Sequence, residues 1–269
     1  MSAAPSSPRL MGILNCTPDS FHAGGRSMDA RAAIDHGLRL VHEGADIVDV
    51  GGESTRPGAT RVPADEQVRR VVPVIEGLRA AGVGTISVDT TLSQVAERAL
   101  ATGASMVNDV SAGTEDARLM QVAAAAGAEL VLMHRLVVPG DDRYSDRYER
   151  EPQYGDVVSE VGAWLAERLQ AAAHAGVSHE RVLIDPGFGF GKSVAQNFEM
   201  LRRLGEFAGH RVLVGLSRKS FLGAVAGAPE PADRLPATLA AAMLAMRAGA
   251  SVLRVHDVAA HAQVRAVFR

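Results

Sequence analysis

Short apolar runs alternate with longer stretches of helical periodicity along the whole chain. The runs fall at residues 10–14, 46–50, 85–88, 105–107, 129–133, 181–184, 211–214 and 251–255. They predict short, buried strands of a parallel sheet. Helical periods fill the intervals. Asp29 is positioned to cap a helix whose Ile34, Leu38 and Val41 recur at helical spacing. Pro63 opens another, with Val68, Val71, Val72 and Ile75 on one side. Further helices are predicted near 92–101, 117–126, 157–175, 197–204 and 234–248, and a last one runs to Arg269. Eight strand–helix units call for a closed (β/α)8 TIM barrel rather than an open sheet. The expected organisation is one α/β domain over residues 9–269 behind a short disordered lead at 1–8.

Polar residues collect where the predicted strands end. Asn15, Asp49 with the loop to Arg56, Asp89, Asn108, His134, Asp185, Lys219, and Arg254 with His256 all lie at or just past a carboxyl end. A barrel gathers those ends on one face, and that face carries the active site. Singly, each residue has a plainer explanation: Asp89 caps a helix, Asn108 satisfies a turn, His256 bonds a carbonyl. The joint pattern is what those explanations leave out. By type, the residues sort into two halves. Asp89, Asn108 and Asp185 are acceptors with Lys219 as a donor, which suits a neutral heterocycle with an amino-amide edge. Asn15, Arg56, Arg254 and His256 form a cationic or metal-friendly half, and arginine suits bidentate phosphate binding. Ser217-Arg-Lys-Ser220 opens a helix and offers backbone N–H groups to a carboxylate.

One stretch is denser in chemistry than the others. Asp185-Pro-Gly-Phe-Gly-Phe-Gly-Lys192 follows a buried run, so a carboxylate sits at a strand tip above a glycine-rich floor. Such a carboxylate is costly unless donors satisfy it. Glycines let the backbone bend tightly and let a ligand approach closely. A flat, nitrogen-rich ring donating two parallel hydrogen bonds fits this site.

Composition narrows the class. The chain has 269 residues, a net charge of -3 and 47% hydrophobic residues. Near-neutral charge argues against nucleic acid as a main partner. A single cysteine, Cys16, excludes an internal disulfide framework and suits a reducing compartment. No stretch approaches the roughly 20 apolar residues of a membrane span. The expected location is cytoplasmic. The dense charged and tyrosine-rich stretch at 139–155 is expected to be a functional or mobile loop.

The motifs resemble dihydropteroate synthase, a pterin-binding enzyme family. They are Met11-Gly-Ile-Leu-Asn-Cys-Thr-Pro-Asp-Ser-Phe21, Gly51-Gly-Glu-Ser-Thr-Arg-Pro-Gly58, Ser87-Val-Asp-Thr90, Asn108-Asp-Val-Ser111, the 185–192 stretch, Ser217-Arg-Lys-Ser-Phe-Leu-Gly223 and Arg254-Val-His-Asp257. Seven motifs in order, one per strand end, span nearly the whole chain. The resemblance implies a transferase of folate biosynthesis. It would join 4-aminobenzoate to 6-hydroxymethyl-7,8-dihydropterin diphosphate, giving 7,8-dihydropteroate and diphosphate. By the family pattern Asp89, Asn108, Asp185 and Lys219 hold the pterin, and Asn15 binds Mg²⁺. Arg56, Arg254 and His256 hold the diphosphate. Phe21, Thr55, Pro57, Phe190 and Ser220 line the aminobenzoate site, where sulfonamides would compete. A homodimer through late barrel helices is the family habit.

In that reaction Asn15 with its Mg²⁺, Arg56, Arg254 and His256 are the catalytic set, because the task is to stabilise a departing anion. No protein nucleophile is needed, so Cys16 is an incidental small residue. One departure stands out. The family usually has Ser-Asp-Gly-Gly where this chain has His22-Ala23-Gly24-Gly25. The lost aspartate predicts weaker closure of the first loop. Two alternatives remain: a methyltetrahydrofolate methyltransferase, which has no use for the diphosphate-binding motifs, and a non-catalytic pterin-binding paralogue.

Overall fold

The computed structural model describes residues 7–16 and 26–268. Its eight parallel strands are β1 (Arg9–Asn15), β2 (Ile47–Gly51), β3 (Ile86–Asp89), β4 (Met106–Asp109), β5 (Glu129–Met133), β6 (Val182–Asp185), β7 (Leu213–Val214) and β8 (Val252–Val255). Between them lie α1 (Arg26–His42), α2 (Ala64–Ala80), α3 (Ser93–Thr102), α4 (Arg118–Ala125), α5 (Val157–His174), α6 (Val194–Arg202), α7 (Ser220–Ala226) and α8 (Leu235–Arg247), and α9 (Val258–Val267) follows β8. The ladder runs β6-β5-β4-β3-β2-β1-β8-β7. A parallel bridge between Ile184 and Val212 closes it, with the Ile184 N–H donating to Arg211 O at 2.9 Å. The expected TIM barrel is therefore the fold.

Strand periodicity explains why the barrel has an apolar plug and a polar mouth. Met11, Ile47, Met106, Val131, Leu183, Leu213 and Val252 form one buried cluster in its middle. Side chains two apart on a strand share a face. So Asp49, Asn108, Asp185 and Arg254, each two residues after a member of that cluster, stand in the next layer toward the carboxyl ends. The strands' other faces pack on the helices in a larger apolar cluster that includes Leu14, Val50, Val88, Val107, Leu132 and Ile184.

Several boundaries differ from the expectation. Asp29 lies inside α1, which begins by Arg26, so it is not the cap. The helix expected from 197 starts at Val194, because Ser193 and Gln196 form a reciprocal capping box. β7 is two residues long, and Val212 just before it makes the closing bridge to Ile184 while its carbonyl accepts the Ser251 and Val252 N–H groups. The 139–155 stretch is pinned rather than loose. The Asp142 carboxylate accepts from Tyr148 Oη at 2.5 Å and from the Gly191 N–H at 3.1 Å. Tyr154 donates to Gly191 O at 3.0 Å. Most of the lead at 1–8, and Phe21, His22 and Ala23 of the first loop, lie outside the described residues. No helix among the described residues is long and apolar enough to cross a membrane.

Candidate active site

The carboxyl ends bring nearly all the expected residues to one mouth. Asn15 ends β1 beside Gly51 of β2, Asp89 ends β3, Asn108 sits in β4 opposite Asp89, and Asp185 ends β6. Thr55, Arg56 and Pro57 occupy the loop after β2, with Arg56 exposed and the other two half-buried. Lys219 caps α7, Ser220 opens it, and Phe190 lies buried in the 186–193 loop. Arg254 is in β8, with His256 just beyond. Phe21 is outside the described residues.

Arg254 is the hub. Its Nε donates to Asp49 Oδ2 at 2.7 Å and its Nη2 to Asp89 Oδ2 at 2.6 Å. The same Asp49 oxygen accepts from Asn108 Nδ2 at 3.1 Å. Arg254 thus joins the two electrostatic halves expected from the sequence, because rim positions on β2, β3, β4 and β8 all face the barrel axis. Asp49 is fully buried and was given no role by sequence reasoning. A charged residue inside the run Ile-Val-Asp-Val was the available signal. Burial pushes the Asp89 carboxyl upward, Arg254 opposes this, and the nearby Asp49 and Asp109 carboxylates add to the rise.

Asp185 and Lys219 are tuned by burial. It raises Asp185 to about 6 against the Gly187 N–H and the Lys219 and Arg254 charges. Asp185 Oδ1 accepts the Gly187 N–H at 2.8 Å. Burial also lowers Lys219 to about 8, with Asp185 opposing. The Lys219 ammonium stands 4.1 Å from the centroid of the Phe190 ring, a cation–π arrangement. The loop between them requires its glycines. Gly187 has φ +71°, and a Cβ there would meet His134 O at 1.8 Å. Gly189 has φ +77°, and its Cβ would press on the Lys219 stem at 2.9 Å. Lys192 is fully buried beneath this loop. Its ammonium reaches His134 Nδ1 at 2.9 Å, Gly187 O at 3.0 Å and Phe190 O at 2.9 Å.

His256 departs from its expected cationic role. Burial, joined by the Arg254 and Arg218 charges, lowers it to about 3, so the imidazole is neutral. Ser217 Oγ accepts the His256 backbone N–H at 3.2 Å and lies 3.0 Å from Nδ1. In the tautomer in which the Ser217 hydroxyl donates to Nδ1, the ring proton is on Nε2. The next residue, Asp257, holds Arg218 through both oxygens at 2.9 and 2.5 Å. That pair fastens the loop after β7 to the loop after β8. Burial drives the Cys16 thiol up to about 12, which leaves it unreactive.

No cluster of three or more His, Cys, Asp or Glu side chains among the described residues would cage a metal. Asn15 is the neutral oxygen donor that β1 brings to the rim. One such oxygen, completed by substrate phosphates and water, suits Mg²⁺, which is seldom held by an all-protein cage.

Comparisons with known proteins agree with this geometry. The pterin binding enzyme family model matches residues 11–256. The dihydropteroate synthase of Mycobacterium leprae is 45% identical over 267 residues, covering 97% of this chain and 91% of its own length. A probable bifunctional folylpolyglutamate synthase/dihydropteroate synthase of Haloferax volcanii is 46% identical over 93% of this chain, which spans 29% of that larger protein. A solved dihydropteroate synthase from Xanthomonas albilineans with 4-aminobenzoic acid superposes with a TM-score of 0.89 at 48% identity, covering 98% of this chain and 92% of that one. A second structure from that organism, in complex with 7,8-dihydropteroate, gives 0.86 at 43% identity over 99% and 94% of the two chains. The chain belongs to the pterin-binding enzyme family, among the dihydropteroate synthases.

Proposed function

We propose that the enzyme displaces diphosphate from 6-hydroxymethyl-7,8-dihydropterin diphosphate with the amine of 4-aminobenzoate, forming 7,8-dihydropteroate. The observation that carries this is the bonded set Asp49, Asp89, Asn108 and Arg254 beside Asp185 and Lys219 at one barrel mouth. Asp185, Asp89 and Asn108 receive the amino-amide edge of the pterin, and Lys219 donates to its carbonyl. Asp185 Oδ1 is engaged by Gly187, so Oδ2 is the oxygen for a ring N–H. Ionised carboxylates on that edge also stabilise the cation that develops on the ring as the C–O bond breaks.

The departing diphosphate meets donors on its own side. Arg254 spends Nε and Nη2 on Asp49 and Asp89 and keeps Nη1 for a phosphate oxygen. His256 offers Nε2–H as a neutral donor, and Arg56 approaches from the loop after β2. Mg²⁺, held by Asn15 and the phosphates, would supply further charge neutralisation to the leaving group. The arylamine then attacks the exposed methylene. Thr55, Pro57, Phe190 and Ser220 line the aminobenzoate side, and sulfonamides compete there. The reducing environment implied by a lone cysteine fits the cytoplasm. A homodimer through α8, whose Leu244 is 52% exposed, fits the family habit and is checked by light scattering.

A coupled assay for diphosphate release tests the activity. Release requires both substrates and Mg²⁺, and a sulfonamide competes with 4-aminobenzoate. Pterin binding with no release when both substrates are present would instead assign a binding role.

A further inference from the structure

The loop carrying Thr55, Arg56 and Pro57 has a closed neck. Arg61 Nε lies 3.4 Å from Glu53 Oε1, so the two ends of the 53–61 segment are bridged. Gln67 Nε2 donates to the other Glu53 oxygen at 2.5 Å, and Thr90 Oγ1 donates to Gln67 Oε1 at 3.1 Å. At the far side, the Gly58 N–H donates to Pro139 O at 2.9 Å. The tip is thus supported by the loop after β5, and the neck by the rim.

Glu115, from the loop after β4, is where the neck meets the rim. It accepts from Arg61 Nη2 at 2.8 Å and from Thr91 Oγ1 and Arg135 Nη2. Arg135 is buried, with its side chain 5% exposed. Arg61 is 47% exposed and is free to swing unless something anchors it. A rigid partner behind Glu115 makes the difference. An isolated surface ion pair orders little, whereas a carboxylate already fixed by a buried guanidinium and a threonine presents a preorganised acceptor. Burial works to raise the Glu115 carboxyl, and Thr91, Arg135 and Arg61 overcome it, keeping it ionised. None of these side chains belongs to the pterin cluster.

We propose that Glu115 is a positioning residue. Backed by Arg135 and Thr91, it fixes Arg61 and thereby the loop that presents Thr55, Arg56 and Pro57 to the aminobenzoate side of the site. This rests on the assignment of Thr55 and Pro57 to that side. Positioning residues act through geometry, and small displacements of a substrate-positioning group cost rate or affinity steeply.

The test uses Arg61→Gln, Arg61→Lys and Glu115→Gln in the full-length enzyme, with pterin affinity measured separately. Arg61→Gln and Glu115→Gln are expected to raise the KM for 4-aminobenzoate about tenfold, and the double variant about as much as either alone, because they break one link. Pterin Kd stays at the parent value. Arg61→Lys restores a cation and recovers much of the KM. Hydrogen exchange of residues 54–60 in the ligand-free protein speeds up in both glutamine variants, a readout independent of turnover. Unchanged exchange and unchanged aminobenzoate KM, or an equal loss of pterin affinity, would overturn the proposal. If the parent enzyme released no diphosphate while exchange at 54–60 still responded, the functional assignment would fail and the loop anchoring would stand.

Discussion

Arg254 and Asp89 are bonded to each other across the barrel mouth, Nη2 to Oδ2 at 2.6 Å. In the proposed reaction Arg254 serves the leaving group and Asp89 the pterin ring. Their contact means that the negative charge gained by the diphosphate and the positive charge left on the ring as the C–O bond breaks would develop against directly bonded groups. Asp49, below them, keeps the guanidinium oriented so that Nη1 faces outward.

Replacing Arg254 by methionine removes that orientation and one donor to the leaving group. Loss of a single preorganised donor to a developing anion costs about 10²–10³ in kcat, so Arg254→Met should lose at least about a hundredfold. It also leaves Asp49 and Asp89 buried without their cation, which destabilises by about 3–5 kcal/mol when one partner of a buried pair is removed. The pH dependence has a definite sign. Arg254 opposes the upward shift of Asp89. Without it, the folded carboxyl lies further above its unfolded value. Its favourable contribution is then present at low pH and lost as pH rises through the folded value. The Tm deficit of the variant should be largest at neutral pH and shrink toward about pH 5. A deficit independent of pH would refute the account.

Pterin affinity should depend on pH through Asp185 and Lys219. Asp185 sits at about 6 and must be ionised to accept from the ring. Lys219 sits at about 8 and donates best when charged. Calorimetric Kd values for 6-hydroxymethylpterin should be tightest between these values. Below about pH 6 the Kd should weaken by about tenfold per unit, as one obligatory deprotonation demands. An Asp185→Asn variant should lose both the affinity and the acid limb. A wild-type Kd that is flat from about pH 7 down to about 5 would count against Asp185 as the acceptor.

Gly187→Ala should be severe despite adding one methyl group. Its φ of +71° disfavours any side chain, and the new Cβ would collide with a backbone oxygen rather than a yielding side chain. The loop must move, taking Asp185's backbone donor with it. The expected result is a Tm drop of more than about 8 °C, the shift that a few kcal/mol produces in a domain of this size, together with loss of pterin binding. Near-native Tm with intact binding would show that the loop tolerates relaxation.

The barrel and its mouth were legible because both follow from local periodicity. Short apolar runs set the strands, and polar residues just beyond Ile47, Met106, Leu183 and Val252 set the rim layer. The Ser193-x-x-Gln196 capping box is a local signal of the start of α6, and Asp49 was visible as a rim residue without its partner. What was not legible is pairing. Arg254 is 205 residues from Asp49 and 165 from Asp89 in sequence, and their contact arises from barrel closure. The neutral state of His256 likewise depends on burial and on the nearness of Arg254 and Arg218, a tertiary proximity that the motifs do not display. The 139–155 stretch looked loose by composition, yet Asp142 and Tyr154 bond the backbone of Gly191, a tertiary contact that composition does not encode.

Lys192 holds up the glycine-rich loop at the barrel mouth from beneath. Burial lowers its amine to about 7, yet three acceptors surround it: Gly187 O, Phe190 O and His134 Nδ1. His134 is itself lowered to about 2 by burial and by Lys192, so its imidazole is neutral and accepts. Three acceptors match the three protons of an ammonium, and the neutral amine would leave one unmet. Lys192→Met keeps the length and removes the donors. It strands the Phe190 carbonyl and a ring nitrogen, at about 1–3 kcal/mol for an unsatisfied buried group, while Gly187 O keeps the Phe190 N–H at 3.1 Å. Relief from burying an ammonium offsets part of that. The net loss should be about 1–3 kcal/mol. The larger effect falls on ligand binding, because the carbonyl of Phe190 loses its anchor and the ring beneath Lys219 shifts. Pterin Kd should weaken about tenfold, in line with displacement of a positioning group. The KM for 4-aminobenzoate at saturating pterin should change less. Denaturant melts and calorimetry on the same variant separate the two effects. Stability lost with pterin affinity unchanged would make Lys192 a packing element of the barrel and nothing more.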